Sequence, residues 1–148
     1  MAVISNERWR NNWLVVGPAG AVAVDLGRSS ATKRRAHERS IRELPPATPV
    51  VLRASAPGAI RRCRRFAAEA GIELEREYLA FPSARSPAYL VEDAPATVDV
   101  FVKTALVTPP RTPFSTPIEA CLGLLRALSP WRLIRSLAPG RVVVGRRR

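Results

Sequence analysis

Apolar residues fall along this chain in short blocks whose spacing switches between strand and helix periods. Residues 13–16 (WLVV) and 21–26 (AVAVDL) are apolar runs separated by Gly17-Pro18-Ala19-Gly20. That pattern predicts two strands around a Gly/Pro turn. Residues 29–44 open on Ser29-Ser30, good helix caps, and place Arg34 and Glu38, like Arg39 and Glu43, four apart. A surface helix with a thin stripe of Ala36, Ile41 and Leu44 follows, stopped by Pro45-Pro46. Residues 49–54 (PVVLRA) read as a short apolar strand. Ser55 then offers a cap and Pro57 a first-turn residue for a helix over 57–70. In that helix Ile60, Cys63, Phe66, Ala67 and Ala70 step by three and four along one face, and Arg61, Arg62, Arg64 and Arg65 fill the other. Gly71 closes it. Residues 72–81 alternate, which predicts a strand with Leu74, Arg76, Tyr78 and Ala80 on one face and Glu73, Glu75, Glu77, Leu79 and Phe81 on the other.

Residues 82–117 hold seven prolines, with pieces such as 88–91 and 96–107 able to order between them. Two short helices are expected over 118–128 and 130–138, broken at Pro130, and a compact last strand over 141–145 after Pro139-Gly140. The order predicts one α/β domain over 1–148, a single sheet flanked by helices. A Pro-rich helical insertion at 82–117 and a basic amphipathic segment at 118–138 precede the last strand. No period of 20–50 residues repeats, which excludes solenoids.

Composition narrows the function classes. The 148 residues are 47% hydrophobic, which excludes a disordered tail or a purely basic arm. Two cysteines and one histidine neither build a zinc site alone nor make a disulfide scaffold, so no metal is expected. No run of about 18 apolar residues is present, and the N-terminus lacks the order of a secretory signal, so a cytoplasmic protein is expected. The net charge is +12, and 22 of the 24 basic residues are arginine. With Ala also 22 and Pro 14, GC-rich coding accounts for arginine over lysine but not for the twofold excess over acids. The excess is uneven: eight basic against four acidic residues in 1–44, eight against seven in 45–110, and eight against one in 111–148. A basic C-terminal face with Arg126, Arg132, Arg135, Arg146, Arg147 and Arg148 as anion or partner contacts suits a phosphate-rich polymer, an anionic membrane surface or an acidic protein partner. In that role the protein is membrane-peripheral or held in a complex or homo-oligomer. The alternatives are a buried helix with snorkelling arginines and a frayed basic terminus. Aromatic residues are 6%, with no stacking motif, so specific nucleic-acid recognition is not expected.

Few residues carry candidate chemistry. His37 lies on the Arg-rich helix and reads as a surface residue; Cys63 and Cys121 read as core. Asp25 ends an apolar run before Gly27, where α/β sheets bind ligands, or it serves the N-terminus of the helix that follows. Glu92, Asp93 and Asp99 read as solvating the insertion, and Tyr78, Phe81 and Tyr89 as aromatic packing or a pocket lining. No catalytic residue is assigned.

From residue 49 onward the chain resembles the C-terminal half of class I S-adenosylmethionine-dependent methyltransferases, a Rossmann-like fold, particularly small bacterial ones of glycan, surface-polymer or small-molecule pathways. The matching pieces are the strand 49–54, the helix ending Ala70-Gly71-Ile72, the strand 73–81 with its tail Pro82-Ser83, the Pro-rich insertion, and the last strand after Ala138-Pro139-Gly140. The resemblance implies that strand 73–81 runs antiparallel to the last strand, with insertions between them shaping an acceptor pocket. It also implies S-adenosylmethionine as cofactor, with Gly17, Gly20, Asp25 and Gly27 as the residues to hold it. The family places an acidic residue and Gly-x-Gly-x-Gly after its first strand so that backbone can approach the cofactor. Here Val16-Gly17-Pro18-Ala19-Gly20 lacks the acid, and Asp25-Leu26-Gly27-Arg28-Ser29-Ser30-Ala31 replaces later glycines with Ser29 and Ala31. No acidic residue ends strand 49–54. A truncated or degenerate methyltransferase-like domain is therefore expected, with a basic, non-enzymatic binding module as the alternative.

Overall fold

A computed structural model of the protein describes residues 12–27, 31–104, 120, 123, 124, 127 and 131–148. Two compact units emerge: residues up to Leu90 with Ala138–Arg148, and Val91–Leu137. The caps Ser29-Ser30, most of the helix expected over 118–128, Cys121, Arg126 and the insertion after residue 104 lie outside the described residues.

The larger unit is α/β, as expected. Its mixed five-stranded sheet runs β1 (Val22–Asp25), β2 (Pro49–Ser55), β5 (Gly140–Arg147), β3 (Ile72–Phe81) and β4 (Tyr89–Glu92) in spatial order. β1 and β2 are parallel, and β5 is antiparallel to both β2 and β3. Helices α1 (Ala31–Arg42) and α2 (Ala59–Ala70) serve one core, in which Phe66, Cys63, Ala67 and Ala70 meet Val24, Val50, Leu52, Ala54 and Val143. The other sheet face packs Val51, Ala80, Val142 and Val144 with Trp13. The alternation of β2 sorts these sets: residues 50, 52 and 54 face the helices, and Val51 faces away.

Several elements depart from the sequence pattern. Residues 13–16 are not a strand: Asn12–Val16 is a 3-10 turn, so no hairpin opens the domain and β1 stands alone at the sheet edge. The apolar side chains of Trp13, Leu14 and Val16 cover the sheet instead of extending it. Ser55 does not cap α2; it ends β2, and Gly58 holds the N-cap with a left-handed backbone (φ 72°) and no side-chain cap. Gly71 does close the helix, with φ 70° and its N–H on the Ala67 carbonyl. In β3 the register shifts between Leu74 and Arg76. That irregularity puts Leu74 in the helix-side core and Tyr78 and Ala80 in the other, whereas strict alternation places all three on one face.

The smaller unit contains α3 (Pro95–Thr104) and α4 (Trp131–Leu137). α3 buries Val98, Phe101 and Val102, and α4 buries Ile134. Asp93 does not merely solvate it: its side chain is 3% exposed, pairs with Arg135 Nε at 2.9 Å and accepts from Trp131 Nε1 at 3.0 Å. No helix among the described residues is long and apolar enough to cross a membrane.

Candidate functional site

The parallel pairing of β1 and β2 sets Asp25 directly beside Arg53. Both lie at the carboxyl ends of their strands, where the crevice of an open α/β sheet takes ligands. Asp25, Gly27, Arg53, Ser55 and Arg85 line an open pocket of about 400 Å³ there. Arg85 arrives from the turn after β3, which is steadied by the Ser86 N–H on Ser83 Oγ at 3.1 Å.

Arg53 organises the pocket. It points to the sheet face away from the helices and is 9% exposed. Its Nη2 donates to Asp25 Oδ2, its Nη1 donates to the Arg85 carbonyl at 3.0 Å, and its guanidinium lies 4.7 Å from the centre of the Trp13 ring. A buried cation needs such partners, since desolvation otherwise makes it costly. Asp25 Oδ1 accepts from the Gly27 N–H at 2.9 Å. Burial pushes the Asp25 carboxyl up, but the bond from Arg53, the Gly27 N–H and the charges of Arg53 and Arg85 outweigh it and hold it below its ordinary 3.8. Asp25 is thus an ionised acceptor, half exposed, beside two arginines and the exposed Ser55. The set can hold a small polar ligand by hydrogen bonds and charge; it contains no histidine or thiol to act as nucleophile or base near neutral pH.

The four residues matched to the cofactor loop do not come together. Asp25 and Gly27 are in the pocket, whereas Gly17 and Gly20 precede β1 and so sit at its opposite end. A Cβ at Gly17 would come within 2.5 Å of Val51 Cγ2, so that glycine admits the turn against β2. Gly20 has φ 78° and open space around it, a turn requirement alone. These residues do not fit S-adenosylmethionine as a glycine loop.

The basic C-terminal residues are built into the sheet. Arg146 Nε pairs with Glu75 at 2.7 Å, Arg147 reaches the Gly71 and Arg42 carbonyls, and the Arg148 N–H binds the Gly71 carbonyl at 3.0 Å. The terminus is therefore not frayed. Arg132 is exposed on α4, and Arg135 is held by Asp93 and lies 5.2 Å from the Trp131 ring centre.

His37 is exposed, as expected, and Tyr78, Phe81 and Tyr89 are not among the residues lining the pocket. Arg53, Ser55 and Arg85 escaped the sequence reading. For Arg53 a signal existed: it is the one charge inside PVVLRA, and a charge in a buried strand demands a partner. Cys63 is fully buried, and burial pushes its thiol up to about 12. In a Cys121→Ser background, Cys63 in the folded protein is expected to react with a thiol reagent at least about a hundredfold more slowly than in denaturant; equal rates would contradict this packing.

The chain matches no protein-family model, no curated protein and no solved structure.

Proposed function

We propose that the chain is a methyltransferase-like α/β domain with a degenerate cofactor loop, whose ligand site is the crevice formed by Asp25, Gly27, Arg53, Ser55 and Arg85. The observation that carries this reading is the pairing of β3 with β5. They are adjacent and antiparallel, and the Pro-rich insertion lies between them in sequence, as the resemblance implies. The crevice supports the ligand-site assignment by its position at the carboxyl ends of two parallel strands. The placement of Gly17 and Gly20 at the other end of β1 supports the reading of the loop as degenerate.

Calorimetric titration of the full chain with S-adenosylmethionine and S-adenosylhomocysteine tests this. The expected result is no saturable heat at millimolar ligand. A saturable isotherm that Asp25→Asn weakens would show that the crevice holds the cofactor after all, and would overturn the degenerate reading.

A further inference from the structure

The basic C-terminal segment is not the molecule's one cationic region. Arg146 and Arg147 are tied to Glu75 and to backbone carbonyls, while α1 and α2 present a different set of cations. α1 carries Lys33, Arg34, Arg35, Arg39 and Arg42 against Glu38, and α2 carries Arg61, Arg62, Arg64 and Arg65 against Glu69. The two helices belong to one unit and are joined where Arg42 Nε donates to the Glu69 carbonyl at 3.1 Å. Glu38 pairs with Arg34 at 3.4 Å and Glu77 with Arg64 at 2.8 Å, and Arg62 is turned to the Pro57 and Ser55 carbonyls. Arg35, Arg39, Arg61 and Arg65 are exposed, and among the described residues none of the four has an acidic partner.

These four stand in two rows. Arg35 and Arg39 are four apart on α1, and Arg61 and Arg65 four apart on α2, so each pair is about 6 Å apart along its helix. Like charges at that spacing repel and cost the free helix stability, a cost that an anion lying across them removes. Two depressions adjoin these residues: Thr32, Arg35, Ala36 and Arg39 line one, and Arg34, Arg62, Arg65 and Glu69 line another together with Leu26 and Phe66.

We infer that the α1–α2 face binds the phosphodiester backbone of a nucleic acid without sequence preference. Arginine is the residue suited to phosphate, because its planar fork of donors matches the oxygens. No large apolar side chain of either helix is exposed, so the face lacks the insertions that hold an amphipathic helix in a membrane interface and the apolar centre of a protein interface. It presents no exposed Phe, Tyr or Trp on which a base can stack, and His37 is a single small ring, which leaves the backbone as the main element recognised.

Fluorescence anisotropy of the full chain with labelled oligothymidylate and oligoadenylate of about 16 nucleotides, over a salt series, tests the inference. Both strands are expected to bind alike, with log K falling against log salt at a slope of about −2.8, from four phosphate contacts at about 0.7 each. The variant R35Q/R39Q/R61Q/R65Q is expected to lose most of that slope while melting no lower than the parent, because all four side chains are exposed. Arg146→Gln is expected to leave it unchanged. No binding at low salt, an unchanged slope in the quadruple variant, or equal loss on Arg146→Gln would overturn the inference. So would binding to phosphatidylserine vesicles or to polyglutamate that matches or exceeds binding to the oligonucleotides.

Discussion

Replacing Arg53 by alanine is expected to destabilise the protein by about 3 kcal/mol, measured as a lower denaturant midpoint at neutral pH. The removed guanidinium makes one charged bond to Asp25, one bond to the Arg85 carbonyl and a stack on Trp13. Hydrogen bonds to charged groups are worth about 1.5–3 kcal/mol each, and a cation over an aromatic ring about 0.5–2. Their sum is discounted because Asp25 is half exposed, so water recovers part of what its carboxylate loses. The loss also empties the volume of a nearly buried side chain beside Trp13. Arg53→Met, which keeps the stem, is expected to cost less than Arg53→Ala; equal costs would mean that the stem contributes nothing.

The same pair sets a pH dependence with a definite sign. The Asp25 carboxyl is held below 3.8 in the folded protein, so its contribution is fully present above that value and is lost as pH falls through the lower, folded value. The stability gap between the parent and Arg53→Ala is therefore expected to narrow between neutral pH and about pH 3. A gap that stays constant over that interval would remove the Asp25 bond as a source of the stabilisation.

Phe66→Ala is the second large effect, with an expected cost of about 3–5 kcal/mol. Phe66 is 1% exposed and is the largest fully buried side chain among the described residues. It lies in the core that joins α2 to β1 and β2. Many side chains of that core are small or β-branched (Ala54, Ala67, Ala70, Val24 and Val50), which limits how far it can close over the space left behind. Phe66→Leu is expected to cost less than half as much, since it leaves a smaller void. Because Phe66 also lines the depression between the helices, its removal is expected to weaken the α1–α2 face only through the fold.

Local signals placed α2, β2, β3 and β5 to within a few residues. The Ile60/Cys63/Phe66/Ala70 stripe ended at a glycine, and the strands were bounded by Pro, Ser and Gly. What was not legible depended on partners distant in sequence. Residues 13–16 satisfy a strand pattern equally well as the apolar side of a 3-10 turn, and only the open sheet face above Val51 and Val144 decides between them. The β3 irregularity leaves no mark in the alternation; it becomes visible when Leu74 and Tyr78 are found in different cores. The site was half legible. Asp25 and Gly27 stood out by their place after an apolar run, but Arg53 becomes their neighbour only through the parallel register of β1 and β2, and Arg85 only through the turn after β3. The terminal arginines show a related point: whether a run of like charge is a solvated tail or the end of a strand depends on pairing with residues distant in sequence.

The place of β5 has a consequence for the protein during its synthesis. β5 lies between β2 and β3, with Val51 opposite Val144 and Tyr78 opposite Val142. Until residues 140–147 leave the ribosome, β2 and β3 have no bridge between them, and each offers an unpaired apolar edge while the whole 91–137 segment is still being made. Closure of the sheet thus waits for residues 140–147 and is dominated by long-range contacts, which makes it slow and exposed to aggregation. A ribosome stalled before Gly140 would hold a chain that presents those edges to chaperones, and one from which β5 has emerged would not.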